Sequence, residues 1–264
     1  MSAQSRNGFT IIETVLFVSI SGALMVLLAT GWTTMLNTQR YRDSVNTLQS
    51  FIQQQYDLVY NVQNGRVGKD LKCDSSGVNG PRVTAQEGAG SYRGTESCVF
   101  LGRYVWIENG QNLRSYLVLG SEPNTELASS LTEAQAIAAY KPQLVTDVEG
   151  INASESELFV PWSAVVFNEA SGQAKTPRNV GIAILRSPRT GIAHTYIRDI
   201  TTPPSAVNLK TSFLDLPLIT DEPEELLCID AGVPLAGGDM AIIFRENAAA
   251  QSAIESKSEA ACDV

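Results

Sequence analysis

An uncharged stretch near the start of the chain most constrains what the chain can fold into. From residue 14 to residue 39 no side chain carries a charge, and the run is rich in leucine, valine and isoleucine. A membrane-spanning helix needs about 20 mainly apolar residues, and this run supplies them. Arg6 precedes the run, and Arg40 and Arg42 follow it. The pattern predicts a transmembrane helix over about residues 9–36, with the short N-terminal piece in the cytoplasm.

Two ordinary explanations of this run account for only part of it. A secretory signal peptide has an apolar core of about 7–15 residues with a small-residue cleavage site after it. Here the apolar run is longer, and the small residue of note, Gly8, precedes it. A plain signal anchor explains the length but not Glu13, because ionisable residues within a membrane are rare and are generally partnered. Glu13 is therefore a candidate functional residue.

The residues GFTIIE at positions 8–13 resemble the class III signal of type IV pilins and related pseudopilins. The pattern combines a short basic leader, a Gly-Phe pair, a glutamate and an immediate long apolar run. The resemblance implies that a prepilin peptidase removes a leader, 1–8, by cutting after Gly8, and that the new terminal Phe9 is methylated. It also implies that Glu13 pairs with the Phe9 amine of a neighbouring subunit during filament assembly. The resemblance covers about residues 1–60, and beyond them only the expected architecture is similar.

The helix is predicted to continue into water beyond the membrane. The apolar residues that follow Arg40 recur at intervals of three or four, which places them on one helical face. They are Val45, Leu48, Ile52, Tyr56, Val59 and Val62. Asn64-Gly65 predicts the end of the helix. The sequence thus predicts one helix over 9–64, whose amphipathic half packs on the domain that follows.

Residues 65–264 are predicted to form one mostly antiparallel, β-rich head. Strand-like runs flank Asn109-Gly110, a strong hairpin signal, and a turn at 187–191 separates two further runs. The segments LLCID and MAIIFRE add another pair. SLTE at 130–133 matches a capping box and predicts a short helix after it, and 200–225 predicts a long surface connection. These elements together predict an α+β, pilin-like fold, in which the long helix packs on the sheet.

The four cysteines allow three disulfide pairings, and none belongs to a CxxC pair. The local pairing, Cys73 with Cys98 and Cys228 with Cys262, closes two moderate loops, and each bridge would add roughly 3 kcal/mol in the loop-entropy model. Such bridges persist outside the cytoplasm, and four reduced, buried cysteines are the alternative. Within the resemblance, a bridge near the C-terminus closes a surface region that contacts partners.

The sequence holds no pattern typical of an enzyme or of a metal or cofactor site. There is no GxSxG, Walker or GxGxxG motif, and His194 lies in a strand-like run without nearby cysteines. The acidic turn 221–225 lacks the spacing of a calcium-binding loop. With 28 Asp and Glu against 19 Lys and Arg, the net charge of −9 disfavours nucleic-acid binding. One small basic group would contact DNA only if folding brought it together, and is otherwise a solvated surface: Lys175, Arg178, Arg186 and Arg189.

The expected function is that of a structural subunit of a type IV pilus. The head is bulky for a subunit that repeats throughout a filament, so a minor pilin that initiates, caps or decorates the filament is favoured, with adhesion as a further role. The alternatives are a minor pseudopilin of a type II secretion system and, from another class, a membrane-anchored extracytoplasmic enzyme or receptor.

The resemblance also implies partners and a location. The partners are other pilin subunits through the N-terminal helix, the prepilin peptidase, the assembly platform of the inner membrane, and the membrane itself before assembly. The chain is expected as a single-pass precursor in the inner membrane with its head outside the cytoplasm, and then in an extracellular pilus.

Overall fold

The structure, a computed structural model, consists of a long N-terminal helix and a β-rich head. The predicted leader, 1–8, and Phe9 lie outside the described residues, as do Val62 and the predicted glycine stop at 65. The residues that the structure describes are 10–61, 70–74, 81–86, 98–123, 126–146, 154–168, 175–215, 224–232, 239–245, 249–258 and 262.

Helix α1 spans Ile11–Tyr60, close to the predicted range. It begins with a capping box, in which the Thr10 side chain accepts a hydrogen bond from the Glu13 backbone N–H and the Glu13 carboxylate accepts one from the Thr10 backbone N–H. The helix ends at Asn61. At 1.5 Å per residue its 50 residues extend for about 75 Å.

The two halves of α1 have different surroundings, as the sequence predicted. Every residue of the exposed half, 11–36, is exposed to solvent, and an 18-residue stretch of α1 is apolar enough to cross a membrane with none of it buried. The packed half, 41–59, buries one face against the head. The predicted face is fully buried, apart from the undescribed valine: Val45, Leu48, Ile52, Tyr56 and Val59. Burial of each such side chain contributes roughly 1.5–3 kcal/mol.

The described part of the head contains twelve strands in three antiparallel sheets. Their bounds are β1 (Asp70–Asp74), β2 (Arg82–Gln86), β3 (Cys98–Glu108), β4 (Asn112–Ser121), β5 (Gln143–Leu144), β6 (Ser154–Phe159), β7 (Val165–Val166), β8 (Val180–Arg186), β9 (Ala193–Asp199), β10 (Glu224–Asp230), β11 (Met240–Arg245) and β12 (Ile254–Ser258). The two predicted hairpins are confirmed: β3 pairs with β4 across the Asn109-Gly110 turn, and β8 pairs with β9. The predicted strands β10 and β11 also pair with each other.

The largest sheet has the strand order β5-β4-β3-β8-β9, and β6 also pairs with β4. Alternate residues of a strand face opposite sides of a sheet. On β3, Val105 and Ile107 belong to the core that contains α1, whereas Tyr104 and Trp106 belong to a second core on the other face. A four-stranded sheet, β12-β11-β10-β7, contributes to the α1 core as well. The packed half of α1 is therefore held by both sheets.

Two predictions about connecting segments are wrong. The capping box of helix α2 (Glu133–Ala139) is not 130–133, because Thr132 is the N-cap and Gln135 closes the box, two residues later. The segment 200–225 is not wholly a surface connection. It contains a π-helical turn, Lys210–Leu214, in which Phe213 is fully buried with its ring centroid 5.9 Å from that of Tyr104. This turn covers the second core.

A buried polar group joins α1 to the large sheet. The Gln55 side-chain oxygen accepts hydrogen bonds from the Ser115 hydroxyl at 2.6 Å and from the Arg103 guanidinium at 3.4 Å. The amide of Gln55 donates to the Phe51 carbonyl at 3.2 Å. Gln55, Arg103 and Ser115 are all buried. A buried polar group without its hydrogen bond is costly, so this contact sets the position of the helix on the sheet.

Gln55→Leu is expected to lower the free energy of unfolding by about 2–4 kcal/mol, because a buried guanidinium and hydroxyl would lose this acceptor. Urea denaturation of the full chain in detergent micelles measures the change. Gln54→Leu makes the same substitution on the exposed face of α1 and is expected to change stability by less than about 0.5 kcal/mol. Equal losses in the two variants would contradict a specific role for Gln55.

Candidate functional site

The N-terminal turn of α1 contains the candidate assembly residue, Glu13. Its carboxylate Oε2 accepts hydrogen bonds from the backbone N–H and the hydroxyl of Thr10, both at 3.2 Å. A negative charge in the first turn also interacts favourably with the helix dipole. This local role was missed by the sequence analysis, although Thr10-x-x-Glu13 has the capping-box pattern. Glu13 therefore has a partner within its own chain before any assembly.

Apolar side chains surround this carboxylate on an uncovered helix. Ile11, Ile12 and Phe17 are 83%, 77% and 72% exposed. After Glu13, the next charged residue along α1 is Arg40. Soluble monomeric proteins rarely expose a continuous apolar surface of this extent. The arrangement is a single carboxylate on an apolar surface, and contact with lipid or with another apolar partner would remove that surface from water. The other predicted residues of this site, Gly8 and Phe9, lie outside the described part of the chain.

A disulfide bridge ties residue 262 to the four-stranded sheet. Cys228 on β10 is bonded to Cys262, with their Cα atoms 5.6 Å apart and a sequence separation of 34 residues. Both are fully buried beside Phe167 and Ile243. This is one of the two bridges in the local pairing. Cys98 is also disulfide-bonded, but the Cys73 side chain is not among those described, so the Cys73–Cys98 pairing stays a prediction.

The small basic group is divided among separate carboxylate partners. Lys175 pairs with Asp230 and Asp239, Arg178 with Asp199 and Glu225, and Arg189 with Glu133, while Arg186 donates to the Gly191 carbonyl. Each of the three ion-paired cations is thus largely neutralised where it stands. The arrangement fits the solvated, paired surface and not a single basic face for DNA.

His194 lies beside a hydrogen-bonded network that joins α2 to the β8–β9 turn. The Glu133 carboxylate accepts hydrogen bonds from Arg189 and, at 3.1 Å, from the Thr190 hydroxyl. Hydrogen bonds from Ser187, Arg189 and Thr190 lower the pKa of Glu133 to about 2. His194 Nε2 is 4.0 Å from this carboxylate, and burial lowers the pKa of His194 against the opposing effect of the Glu133 charge. His194 therefore packs half-buried beside this network, and its Nε2 makes no hydrogen bond among the described residues.

Glu133→Gln is expected to destabilise the chain by about 1–3 kcal/mol at pH 7. A carboxyl whose pKa is lowered on folding stabilises the fold above its unfolded pKa, and this contribution disappears as the pH falls from about 4.5 towards 2. The difference between the variant and the natural chain should therefore shrink over that interval, as measured by urea unfolding at several pH values. Glu255→Gln removes an exposed ion pair with Arg245 and serves as control. A difference independent of pH would contradict the expectation.

Among the described residues, no group of three or more His, Cys, Asp or Glu side chains could hold a metal ion. Comparisons of the chain with family models, with curated proteins and with solved structures find no match. A functional proposal therefore depends on the residues and geometry of this chain alone.

Proposed function

We propose that the chain is a pilin-like filament subunit, stored in a membrane through the exposed half of α1 before it assembles. The observation that supports this most is a helix with an uncovered apolar surface and one carboxylate, Glu13, in its first turn. A bilayer covers such a surface before assembly, and the equivalent helices of neighbouring subunits cover it afterwards. The GFTIIE sequence at 8–13 supports the same function through its resemblance to the prepilin signal.

The charge of Glu13 favours a filament subunit over a plain membrane anchor. Cleavage after Gly8 would create a cationic amine on Phe9, and opposite charges a few ångströms apart favour the ionised forms of both groups. The Glu13 carboxylate would then offset the amine of a neighbouring subunit within an apolar helix bundle. Such a buried pair sets the register between subunits as well as contributing to stability.

The rigid connection between α1 and the head supports the same proposal. The α-helix continues without interruption from the exposed half into the packed half, and two sheets hold the packed half. Bundling of the exposed halves would therefore carry each head to a fixed position on the outside of a filament. The Cys228–Cys262 bridge suits a head that lies outside the cytoplasm, where disulfides persist.

The size of the head favours a minor subunit that initiates, caps or decorates the filament. The same N-terminal residues would serve a minor pseudopilin of a type II secretion system, and gene neighbours separate the two. A retraction ATPase would favour a pilus, whereas a secretin within a secretion cluster would favour the pseudopilin.

Shearing fibres from intact cells tests the proposal. Antibodies against the head should detect the chain in the sheared fibre fraction, in far fewer copies than the main filament subunit. If cells that make fibres kept the whole population of this chain in the membrane fraction, the proposed function would be wrong.

A further inference from the structure

The loop between β6 and β7 lies at the end of the head nearest the exposed half of α1. The Ser44 hydroxyl donates to the Pro161 carbonyl at 2.8 Å, and the Arg40 guanidinium carbon lies 4.7 Å from the centre of the Trp162 ring. Arg40 follows Leu36, the last residue of the exposed half, by only four residues, or roughly 6 Å along the helix axis. The loop therefore borders the apolar surface of the helix.

Two aromatic side chains near this loop face solvent. Phe159 is 60% exposed and Trp162 is 56% exposed. Among the residues described after α1, the other large apolar side chain with comparable exposure is Ile192. Exposed apolar clusters mark interaction surfaces, and tryptophan in particular favours the membrane–water interface, where its ring is partly apolar and its N–H stays hydrated.

The backbone holds Trp162 in a conformation that bulky residues rarely adopt. Trp162 has a φ angle of 59° and Ser163 one of 60°, both in the left-handed region. This region costs a residue with a side chain roughly 1–2 kcal/mol. The turn that joins β6 to β7, in a different sheet, imposes this conformation. It fixes the Trp162 ring at the surface of the head, although the ring gains little burial there.

The position and charge of Arg40 fit a lipid headgroup layer. Each headgroup layer is about 5–7 Å thick outside the hydrocarbon core, which matches the distance from Leu36 to Arg40. Helix side chains incline towards the N-terminus, so the guanidinium reaches back towards the bilayer. Arg40 is exposed and has no carboxylate partner in the described parts of the chain. Its charge remains available to a lipid phosphate.

We propose that Phe159, Trp162 and Arg40 bind the lipid headgroup layer on the head's side of the membrane and seat the head on the bilayer. The occupant is lipid and not a second copy of the chain, because this surface directly continues the apolar half of α1 and pairs exposed aromatic rings with a cation. The proposal requires the exposed half of α1 to lie in a bilayer, but it does not require filament assembly.

Tryptophan quenching in the full-length chain tests this contact. The chain is reconstituted into phosphatidylcholine–phosphatidylglycerol vesicles that carry a doxyl quencher either near the headgroup or near the end of the acyl chain. Trp32→Phe leaves two emitters, Trp162 and the buried Trp106. Subtracting the emission of the double variant Trp32→Phe/Trp162→Phe isolates Trp162. Its emission should be quenched at least about twofold more by the shallow label than by the deep label.

A reporter at the opposite end of the head is the matched control. Ile192 is 48% exposed in the β8–β9 turn. Thr195, three residues after Ile192, hydrogen-bonds to the Tyr56 hydroxyl of α1 at 2.5 Å. Tyr56 follows Arg40 by sixteen residues, or roughly 24 Å along the helix axis. Ile192→Trp in the double-variant background should not be quenched by either label.

Three outcomes would overturn the proposal. The first is quenching of Trp162 as weak as that of the Ile192→Trp reporter. The second is Trp162 emission that is the same with either label but changes with the protein-to-lipid ratio, which would indicate contact with a second copy of the chain. The third is a chain whose Trp32, roughly 6 Å along the helix from Leu36, is quenched by neither label, since the exposed half of α1 would then lie outside the bilayer. None of these outcomes reports on fibres, which the shearing experiment measures separately.

Discussion

Glu13→Gln is expected to leave the chain in the membrane and to reduce its incorporation into filaments at least about tenfold. Removing one partner of a buried charge pair costs about 3–5 kcal/mol, and 1.4 kcal/mol corresponds to about a tenfold change. Glutamine has nearly the same shape as glutamate, and its side-chain oxygen can accept the backbone hydrogen bond that closes a capping box. The variant therefore removes the charge while preserving the contact with Thr10 that the structure describes.

Thr10→Val is the matched control for this prediction. It removes the capping hydroxyl that accepts from the Glu13 backbone and keeps the carboxylate, at a cost of about 1 kcal/mol to the helix. Alkaline extraction of membranes measures insertion, and sheared fibres measure incorporation. Thr10→Val should be incorporated almost normally. Normal incorporation of Glu13→Gln, or an equal loss in both variants, would contradict the intersubunit charge pair.

Removal of the C-terminal disulfide is expected to have the largest effect on stability. Replacing both Cys228 and Cys262 with alanine should lower the free energy of unfolding by about 3–5 kcal/mol. The 34-residue separation alone corresponds to roughly 4 kcal/mol of loop-closure entropy, and loss of the buried sulfur atoms adds a cavity cost. Urea denaturation under non-reducing conditions measures the change.

Hydrogen exchange gives this prediction a control within the same molecule. Strand β12 (Ile254–Ser258) shortly precedes residue 262 in the chain, and Gln49 of α1 donates to its Ile254 carbonyl at 3.1 Å. Loss of the bridge should increase exchange in β12 before it affects β8, an interior strand of the large sheet. A stability loss under about 1 kcal/mol, or equal increases in the two strands, would contradict a bridge that fixes this end of the chain.

The buried face of α1 was predictable because helical periodicity is a local property of the sequence. Val45, Leu48 and Ile52 recur at helical spacing and are fully buried as predicted. Gln55 lies on the buried side too, but its partners are far away in sequence: Arg103 by 48 residues and Ser115 by 60. Pairings over such distances depend on which strands meet, and no local pattern encodes that.

Turns and caps were less predictable because overlapping patterns compete. The segment 130–135 contains both a Ser-x-x-Glu and a Thr-x-x-Gln pattern, and the structure uses the second. Glu133 is recruited instead by Arg189 and Thr190 from the β8–β9 turn. The direction in which the chain enters the helix, set by packing against the head, decides between such alternatives.

The exposure of Trp162 could not be predicted from its neighbours. FVPWSAVVF, at 159–167, has the composition of a buried strand, but β6 ends at Phe159 and β7 begins at Val165. Pro161 cannot donate to a strand partner, which explains the interruption. The positive φ angles after it arise from the turn that joins two different sheets, and this turn is a consequence of the tertiary fold.

The N-terminus of the chain purified from cells tests the central claim most directly. Intact mass and sequencing of the N-terminal peptide identify the first residue and any methyl group on it. The filament-subunit proposal predicts a chain that begins at N-methylated Phe9, after cleavage at Gly8. A chain that begins at Met1, or one cut after about Ala29 as a secretory signal would be, would contradict it.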